Sequence, residues 1–311
     1  LAGWTIVQSD ESDGDPTNGL GRWEITVEPL TDGTYVVWVE VEDLAGNISN
    51  EQDNLALGTE VTIDTTPPQI PTIDLVDQYD TGWYDKDNVT TGDPNALGTV
   101  RVRISAEYGT LVLIKDGEVV IDSFVFDAAF DATDGVPGDL FGVRTIDFVL
   151  NQALFSIPAE GPHPLTVEAV DVAGNFRQSE QLLVTIDFTP PLAPSAPDML
   201  PDSDTGAFDD DNVTSIKNPA FWGVGEPNSL VRIYVVNSLG QERLVGQATV
   251  GSDESYGDPT DNRGIWEVTI EPLDDGVYDV FAELEDQAGN ISVWSAGLRI
   301  EIDTYAPNTP Y

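Results

Sequence analysis

The chain has 311 residues, and 56 acidic against 12 basic side chains give it a formal charge of −44. Phosphate backbones are bound by clustered lysine and arginine, so nucleic acid is excluded as a partner and an anionic membrane surface is disfavoured. A hydrophobic content of 40% is enough for packed cores and sets the chain apart from disordered acidic tails. A compact chain that repels itself this strongly is relieved by bound cations or by high salt. The absence of cysteine removes disulfides, thiolate metal sites and cysteine nucleophiles. No apolar run reaches the ~18 residues of a membrane span, so direct membrane insertion is not expected.

In chain order, one set of phrases returns. Ser9-Asp-Glu-Ser-Asp-Gly14-Asp15-Pro16-Thr17 matches Ser252-Asp-Glu-Ser-Tyr-Gly257-Asp258-Pro259-Thr260, and Gly21-Arg-Trp23 opens a strand-like stretch that returns as Gly264-Ile-Trp266. A closing phrase, Ile63-Asp64-Thr-Thr-Pro67-Pro68, recurs as Ile186-Asp187-Phe-Thr-Pro190-Pro191 and as Ile302-Asp303-Thr-Tyr-Ala-Pro307. An opening cluster follows the first two closures: Asp80-Thr-Gly-Trp-Tyr-Asp85-Lys-Asp87-Asn88-Val-Thr90 and Asp204-Thr-Gly-Ala-Phe-Asp209-Asp-Asp211-Asn212-Val-Thr214. These separations exceed the ~20–50 residues of solenoid repeats, so the unit is a whole domain. The boundaries are 1–64 for the C-terminal part of one repeat, 65–187 and 188–303 for two complete repeats, and 304–311 for a linker or the start of another. Prolines at 67, 68 and 71, and again at 190, 191, 194 and 197, mark short, semi-rigid seams. Leu1 in place of Met, and a first repeat that begins part-way through, lead to the expectation of a longer polypeptide. A half-sandwich of this kind needs a partner for its open edges and inner face.

Within each repeat the pattern is strands and turns. Tyr278 to Asp286 alternates apolar and polar side chains, as do Tyr35 to Asp43 and His163 to Asp171, which reads as a half-buried strand. Leu111 to Ile121 reads as a hairpin closed by Asp116-Gly117. With no amphipathic helix of convincing length, the fold class is all-β, a linear array of antiparallel immunoglobulin-like sandwiches.

The entries Asp32-Gly33-Thr34-Tyr35 and Asp275-Gly276-Val277-Tyr278 resemble the tyrosine corner of immunoglobulin-like domains, with His163 in that place in the second repeat. Three further phrases end the alternating strands: Asp43-Leu-Ala-Gly46-Asn47, Asp171-Val-Ala-Gly174-Asn175 and Asp286-Gln-Ala-Gly289-Asn290. Together with the closing phrases they make the whole chain similar to the tandem bacterial Ig-like repeats of giant calcium-dependent surface adhesins. That resemblance implies an extracellular, cell-surface segment with calcium at the domain junctions, locking the array into a rod. The partners it implies are neighbouring repeats of the same chain, with other copies where a fibre forms.

Calcium takes about six to eight oxygen ligands from carboxylates, amide side chains and backbone carbonyls. Asp43, Asp64, Asp80, Asp85 and Asp87 form one expected junction set; Asp171, Asp187, Asp204, Asp209 and Asp211 form the next, with Asp286 and Asp303 as the corresponding acids of the third repeat. The competing reading of the same residues is that Asp and Asn serve as turn formers. A second acidic crowding, at Asp10, Glu11, Asp13 and Asp15 and again at Asp253, Glu254 and Asp258, reads equally as a cation site or a solvated loop; Asp127, Asp131, Asp134 and Asp139 are its counterpart in the second repeat. One histidine cannot supply three catalytic sites, and the paired carboxylates carry no pocket signature, so no enzyme activity is expected. Sequons at Asn47, Asn88, Asn212 and Asn290 fall inside the repeated phrases. Trp38 and Phe281 fall on the outward side of their strands, where an aromatic stripe would serve a carbohydrate-binding module, and the Asp127–Leu140 stretch is the place to look for a groove. A third class is an acidic surface-layer protein of a salt-loving organism.

Overall fold

The computed structural model describes residues 3–6, 21–49, 58–82, 84, 86–93, 96–97, 99–126, 141–149, 160–206, 208, 210–252 and 262–307. The chain divides into two compact units, Leu1–Pro68 with Val170–Phe176, and Gln69–Ala169 with Arg177–Tyr311. Among the described residues there is no α-helix, and no helix long and apolar enough to cross a membrane.

In the first unit β1 (Gly33–Val37) pairs antiparallel with β2 (Thr59–Ile63), Tyr35 facing Val61. The alternating pattern forms as expected, but its apolar side is left uncovered. Trp23 is 44% exposed where Trp266, at the same place in the third repeat, is 1% exposed. Val37, Val39 and Val41 are likewise exposed where Val280, Ala282 and Leu284 are buried.

The second unit holds two sandwiches. In the first of them, β3 (Thr72–Leu75) leads to a short 3₁₀ turn at Asp77–Tyr79, then to β4 (Val89–Thr90) and the small hairpin of β5 (Gly92–Asp93) and β6 (Ala96–Leu97). Next come β7 (Thr99–Glu107), β8 (Leu111–Asp116), β9 (Val119–Val125), β10 (Phe141–Val149), β11 (Gly161–Val170), β12 (Phe176–Gln178) and β13 (Leu182–Ile186). One sheet runs β10-β7-β3 and the other β4-β13-β11-β8-β9, with β12 on β11. Period-two alternation puts Val100, Val102, Ile104 and Ala106 of β7 against Val112, Ile114, Leu165, Val167, Val184 and Ile186 of the facing sheet, and all of them are buried. Asp116 and Gly117 close the β8–β9 hairpin, as the sequence predicts.

The other sandwich contains β14 (Asp198–Met199), β15 (Val213–Thr214), β16 (Ala220–Gly225), β17 (Leu230–Asn237), β18 (Glu242–Thr249), β19 (Gly264–Thr269), β20 (Gly276–Glu285) and β21 (Leu298–Ile302). Its sheets run β14-β16-β19 and β15-β21-β20-β17-β18. Phe221, Val231, Ile233, Trp266, Val280, Leu284 and Ile300 form the dry centre.

Both sandwiches share one feature that positions the candidate site. The two-residue strand after the opening cluster lies parallel to the last strand: Val89 and Thr90 face Thr185 and Ile186, and Val213 and Thr214 face Glu301 and Ile302. The chain has by then crossed the sandwich once, so the opening cluster sits at the far end of its own repeat. Closeness in sequence to the preceding closure does not bring the two together.

Candidate functional site

The site is the seam inside the second unit where the 65–187 sandwich meets the 188–303 sandwich. Three elements build it. The first is the opening loop of the second repeat. Asp80, 8% exposed, accepts from the Asn88 amide at 3.2 Å, and the Asn88 backbone takes the left-handed conformation that asparagine tolerates. Asp87 accepts from the Val89 amide at 3.0 Å, and the buried Thr90 donates to the Tyr79 carbonyl at 2.6 Å. The second element is the closing Asp187, whose amide donates to the Thr90 carbonyl at 2.9 Å and whose carboxylate accepts from the Thr189 amide at 3.0 Å. The third is the Asp286–Asn290 loop of the third repeat, in which Asp286 accepts from the Asn290 amide and side chain at 2.9 and 2.7 Å.

Direct contacts join the three. Asn290 Nδ2 donates to the Asp187 carbonyl at 2.9 Å, and Thr81 Oγ1 donates to the Ala288 carbonyl at 2.6 Å. Gly82 lies so close to this loop that a Cβ there would stand 2.0 Å from the Gln287 carbonyl oxygen. Inside the first unit the same contact recurs, Asn175 Nδ2 donating to the Asp64 carbonyl at 3.0 Å. The Ala-Gly-Asn loop therefore serves the closure of the preceding repeat, because the strand that carries it runs back toward the start of its own sandwich.

This changes the expected groupings. Asp64 is joined by the Asp171 loop, and Asp187 by the loops of Asp80, Asp87 and Asp286. Asp204 and Asp211 lie with Asp303 at the other end of the third repeat, where Asp204 accepts from Asn212 at 3.0 Å, Asp211 from Val213 at 3.1 Å, and the Asp303 amide donates to Thr214. Asp43 holds its own loop by accepting from Ala45 and Asn47. Asp85 and Asp209, and the acidic stretches at 10–15, 127–139 and 253–258, lie outside the described residues. Each described aspartate of the expected sets accepts a hydrogen bond from a backbone amide close by in sequence. Among the described residues, no three His, Asp or Glu side chains are gathered closely enough to hold a metal ion.

Two seam acids were not legible in the sequence. Burial pushes the Glu226 carboxyl up, and the nearby Asp286 and Asp187 push it further. Asp187 is pushed up by burial, then by Asp286 and Glu160, against the opposing pull of the Thr189 amide. Glu226 stands in the turn that passes from β16 in one sheet to β17 in the other, and Glu160 just before β11; neither belongs to a recurring phrase. Asp43 shows the opposite case: its hydrogen bonds from Asn47 hold it below the usual carboxylate range. The donor set at the seam is carboxylate oxygen, the hard chemistry that calcium takes.

The signs set a pH dependence. A carboxyl raised in the folded seam binds its proton more readily there than in the unfolded chain, so stability falls as pH rises through the raised range. With chelator present, the melting temperature of the second unit is expected to rise as the pH is lowered from neutral toward the ordinary carboxylate range. Asp187→Asn should flatten that slope; a slope unchanged by the substitution would show that Asp187 does not carry it.

The other candidates resolve locally. Tyr35 and Tyr278 donate to the Thr31 and Asp274 carbonyls at 2.8 and 2.9 Å, which are tyrosine corners, and His163 instead meets Asp116 at 2.7 Å in the core. Phe281 does not stand alone on the outer face: Tyr234 faces it across the strands, and Trp294 stacks on Tyr234 with centroids 5.4 Å apart and lies tilted against Phe281 at 5.0 Å. The Asn290 side chain is spent on Asp187 and Asp286, so a glycan at that sequon would cost both bonds.

The profile of the bacterial Ig-like domain family matches residues 4–65 and 191–304, more than half of the chain, and the protein belongs to that family. Ig-like families are in general structural modules without catalytic activity. Similar solved structures include the fibronectin(III)-like modules of Clostridium thermocellum CbhA, at 12% identity and TM-score 0.34 over 68% of this chain and 90% of that one. A 1.5-MDa bacterial ice-binding adhesin matches at 15% identity and TM-score 0.32 over 88% and 76%. The C-terminal domain of the Streptococcus pyogenes antigen I/II-family protein AspA matches at 10% and 0.28 over 74% and 98%. At that similarity none of the three informs on function. A search of curated proteins finds no match.

Proposed function

We propose that this chain is an extender segment of a bacterial cell-surface stalk or fibre of the adhesin kind, whose Ig-like repeats are stiffened by calcium at their junctions. The observation that carries the reading is the partly buried seam at Asp187, where burial and then the charges of Asp286 and Glu160 raise the proton affinity of Asp187, and burial and then Asp286 and Asp187 raise that of Glu226. Such a set is costly as bare carboxylates and becomes favourable around a cation. Asp187, Glu226 and Asp286 do not stand at ligand distance from one another, so an ion would have to draw them together, with Glu160 adding charge. Bound there, calcium would supply the positive charge that lets these carboxylates approach. The chain's own residues do the rest: Asn290 and Thr81 fix the loop against the closing strand, and the proline-rich linker restricts the hinge. The partners of each repeat are its neighbours along the chain.

Sites of the extracellular class bind with Kd on the order of 10⁻⁴–10⁻³ M. At millimolar calcium each would favour the ordered seam by about 1 kcal/mol, from RT ln(1 + [L]/Kd). Small-angle scattering of the chain at constant ionic strength, first with calcium and then with excess chelator, is expected to show a shorter, more flexible particle after chelation. Identical curves and identical melting temperatures would remove calcium from the reading and leave the carboxylates as turn formers.

A further inference from the structure

The seam also explains a surface at the other end of the third repeat. Thr81 and Gly82 form a socket. Thr81 Oγ1 is fixed by accepting from the Thr91 amide at 2.8 Å, and it donates outward to the Ala288 carbonyl; Gly82, at φ +105°, provides the flat floor on which residues 287–289 rest. The third repeat builds the same socket bond for bond. Thr205 Oγ1 accepts from the Ser215 amide at 2.8 Å and stands 3.2 Å from Thr214 Oγ1, as Thr81 stands 3.2 Å from Thr90 Oγ1. Asn212 takes φ 59° where Asn88 takes 58°, and Asp303 joins the Thr214 carbonyl as Asp187 joins that of Thr90. The difference is occupancy. A Cβ on Gly82 would meet backbone at 2.0 Å, whereas one on Gly206 meets nothing within 4 Å. Gly206 and Asp303 are exposed where Gly82 and Asp187 are half-buried.

We infer that the surface formed by Thr205, Gly206 and Asp303 is a docking socket for the Asp-x-Ala-Gly-Asn loop of a following repeat of this same family. The chain itself displays the occupied form. The loop's alanine carbonyl would accept from Thr205, its asparagine amide would donate to the Asp303 carbonyl, and its glycine would lie over Gly206. Gly206 is then held as glycine by the partner's backbone. Its own turn needs the residue only for a φ of +131°, whereas a docked loop needs the empty space above it as well. The contact is made by protein hydrogen bonds and close packing, so it holds with or without a cation, and a failure of the calcium reading leaves it standing.

The test extends the chain after Asp303 with a second copy of its own residues 188–303, and follows amide hydrogen exchange in excess chelator. Exchange at Thr205 and Gly206 is expected to slow by about tenfold or more relative to the unextended chain, toward the level at Thr81 and Gly82. Gly206→Ala should abolish that gain in the extended chain, where a Cβ would strike the docked loop. In the unextended chain the same substitution should leave exchange at Asp303 unchanged. Asn290→Ala placed in the added copy should weaken the protection by removing the donor to Asp303. Equal exchange at 205–206 with and without the added repeat would overturn the inference. Protection that appears in the unextended chain and grows with its concentration would also overturn it, because the occupant would then be a second copy.

Discussion

Replacing His163 with alanine is expected to destabilise the 65–187 sandwich by about 3–5 kcal/mol, the usual cost of removing one member of a buried polar pair. His163 and Asp116 are each 1% exposed and meet at 2.7 Å between β11 and β8. The ring meets Asp116 Oδ2, while Oδ1 has no hydrogen-bond partner among the described residues, so loss of the ring strands the carboxyl further in the core. Set against a total stability of roughly 5–15 kcal/mol for an ordinary domain, that is a large fraction. The comparison is Tyr278→Phe in the third repeat, which removes a single exposed bond to the Asp274 carbonyl and should cost only ~0.5–1.5 kcal/mol. Adding Asp116→Leu to His163→Ala should recover part of the loss by removing the stranded acid. Denaturant unfolding measures all three; a His163→Ala cost below that of Tyr278→Phe would show that the pair is not needed for stability.

The second large effect separates two glycines that the sequence makes equivalent. Gly82 and Gly206 both have positive φ, at +105° and +131°, so alanine strains the backbone at each by about 1–3 kcal/mol. Only at Gly82 does the added Cβ also run into the Gln287 carbonyl, with its oxygen at 2.0 Å and its carbon at 3.0 Å. Both contacts are backbone, so relief requires the seam to open, adding a further ~1–3 kcal/mol of overpacking. Gly82→Ala should therefore expose the 286–290 loop to hydrogen exchange and lower the unfolding midpoint more than Gly206→Ala does. Equal effects would mean that the seam is loose enough to absorb a methyl group.

Much of the fold was legible because its signals are local. Tyr278 to Asp286 alternates with period two, Asp116-Gly117 supplies the turn, and the Asp-Gly-x-Tyr entry places a phenol within reach of a carbonyl four residues back. Each is a property of a few consecutive residues, and the structure shows each one. The identity of the carboxylates as turn-holding groups was also written in the Asp-x-Ala-Gly-Asn phrase, where Asp43, Asp171 and Asp286 all accept from the asparagine at the end of the loop.

What the sequence did not settle is which repeated phrases meet. Within the second unit, Asp187 and Asp204 are near neighbours along the chain, yet the parallel pairing of β15 with β21 anchors the opening cluster of Asp204 beside Asp303. Glu226 and Glu160 join the seam at Asp187 from segments outside the recurring phrases, and Thr81 and Gly82 matter through a loop some two hundred positions away, at Ala288. The sequence by itself determined the strands, the turns, the acidic character and the repeating order, since all of these follow from side-chain periodicity and turn chemistry. The tertiary structure alone decided the company each acid keeps, because strand direction and sheet pairing convert a linear order into ends of a sandwich, and those ends define the seam.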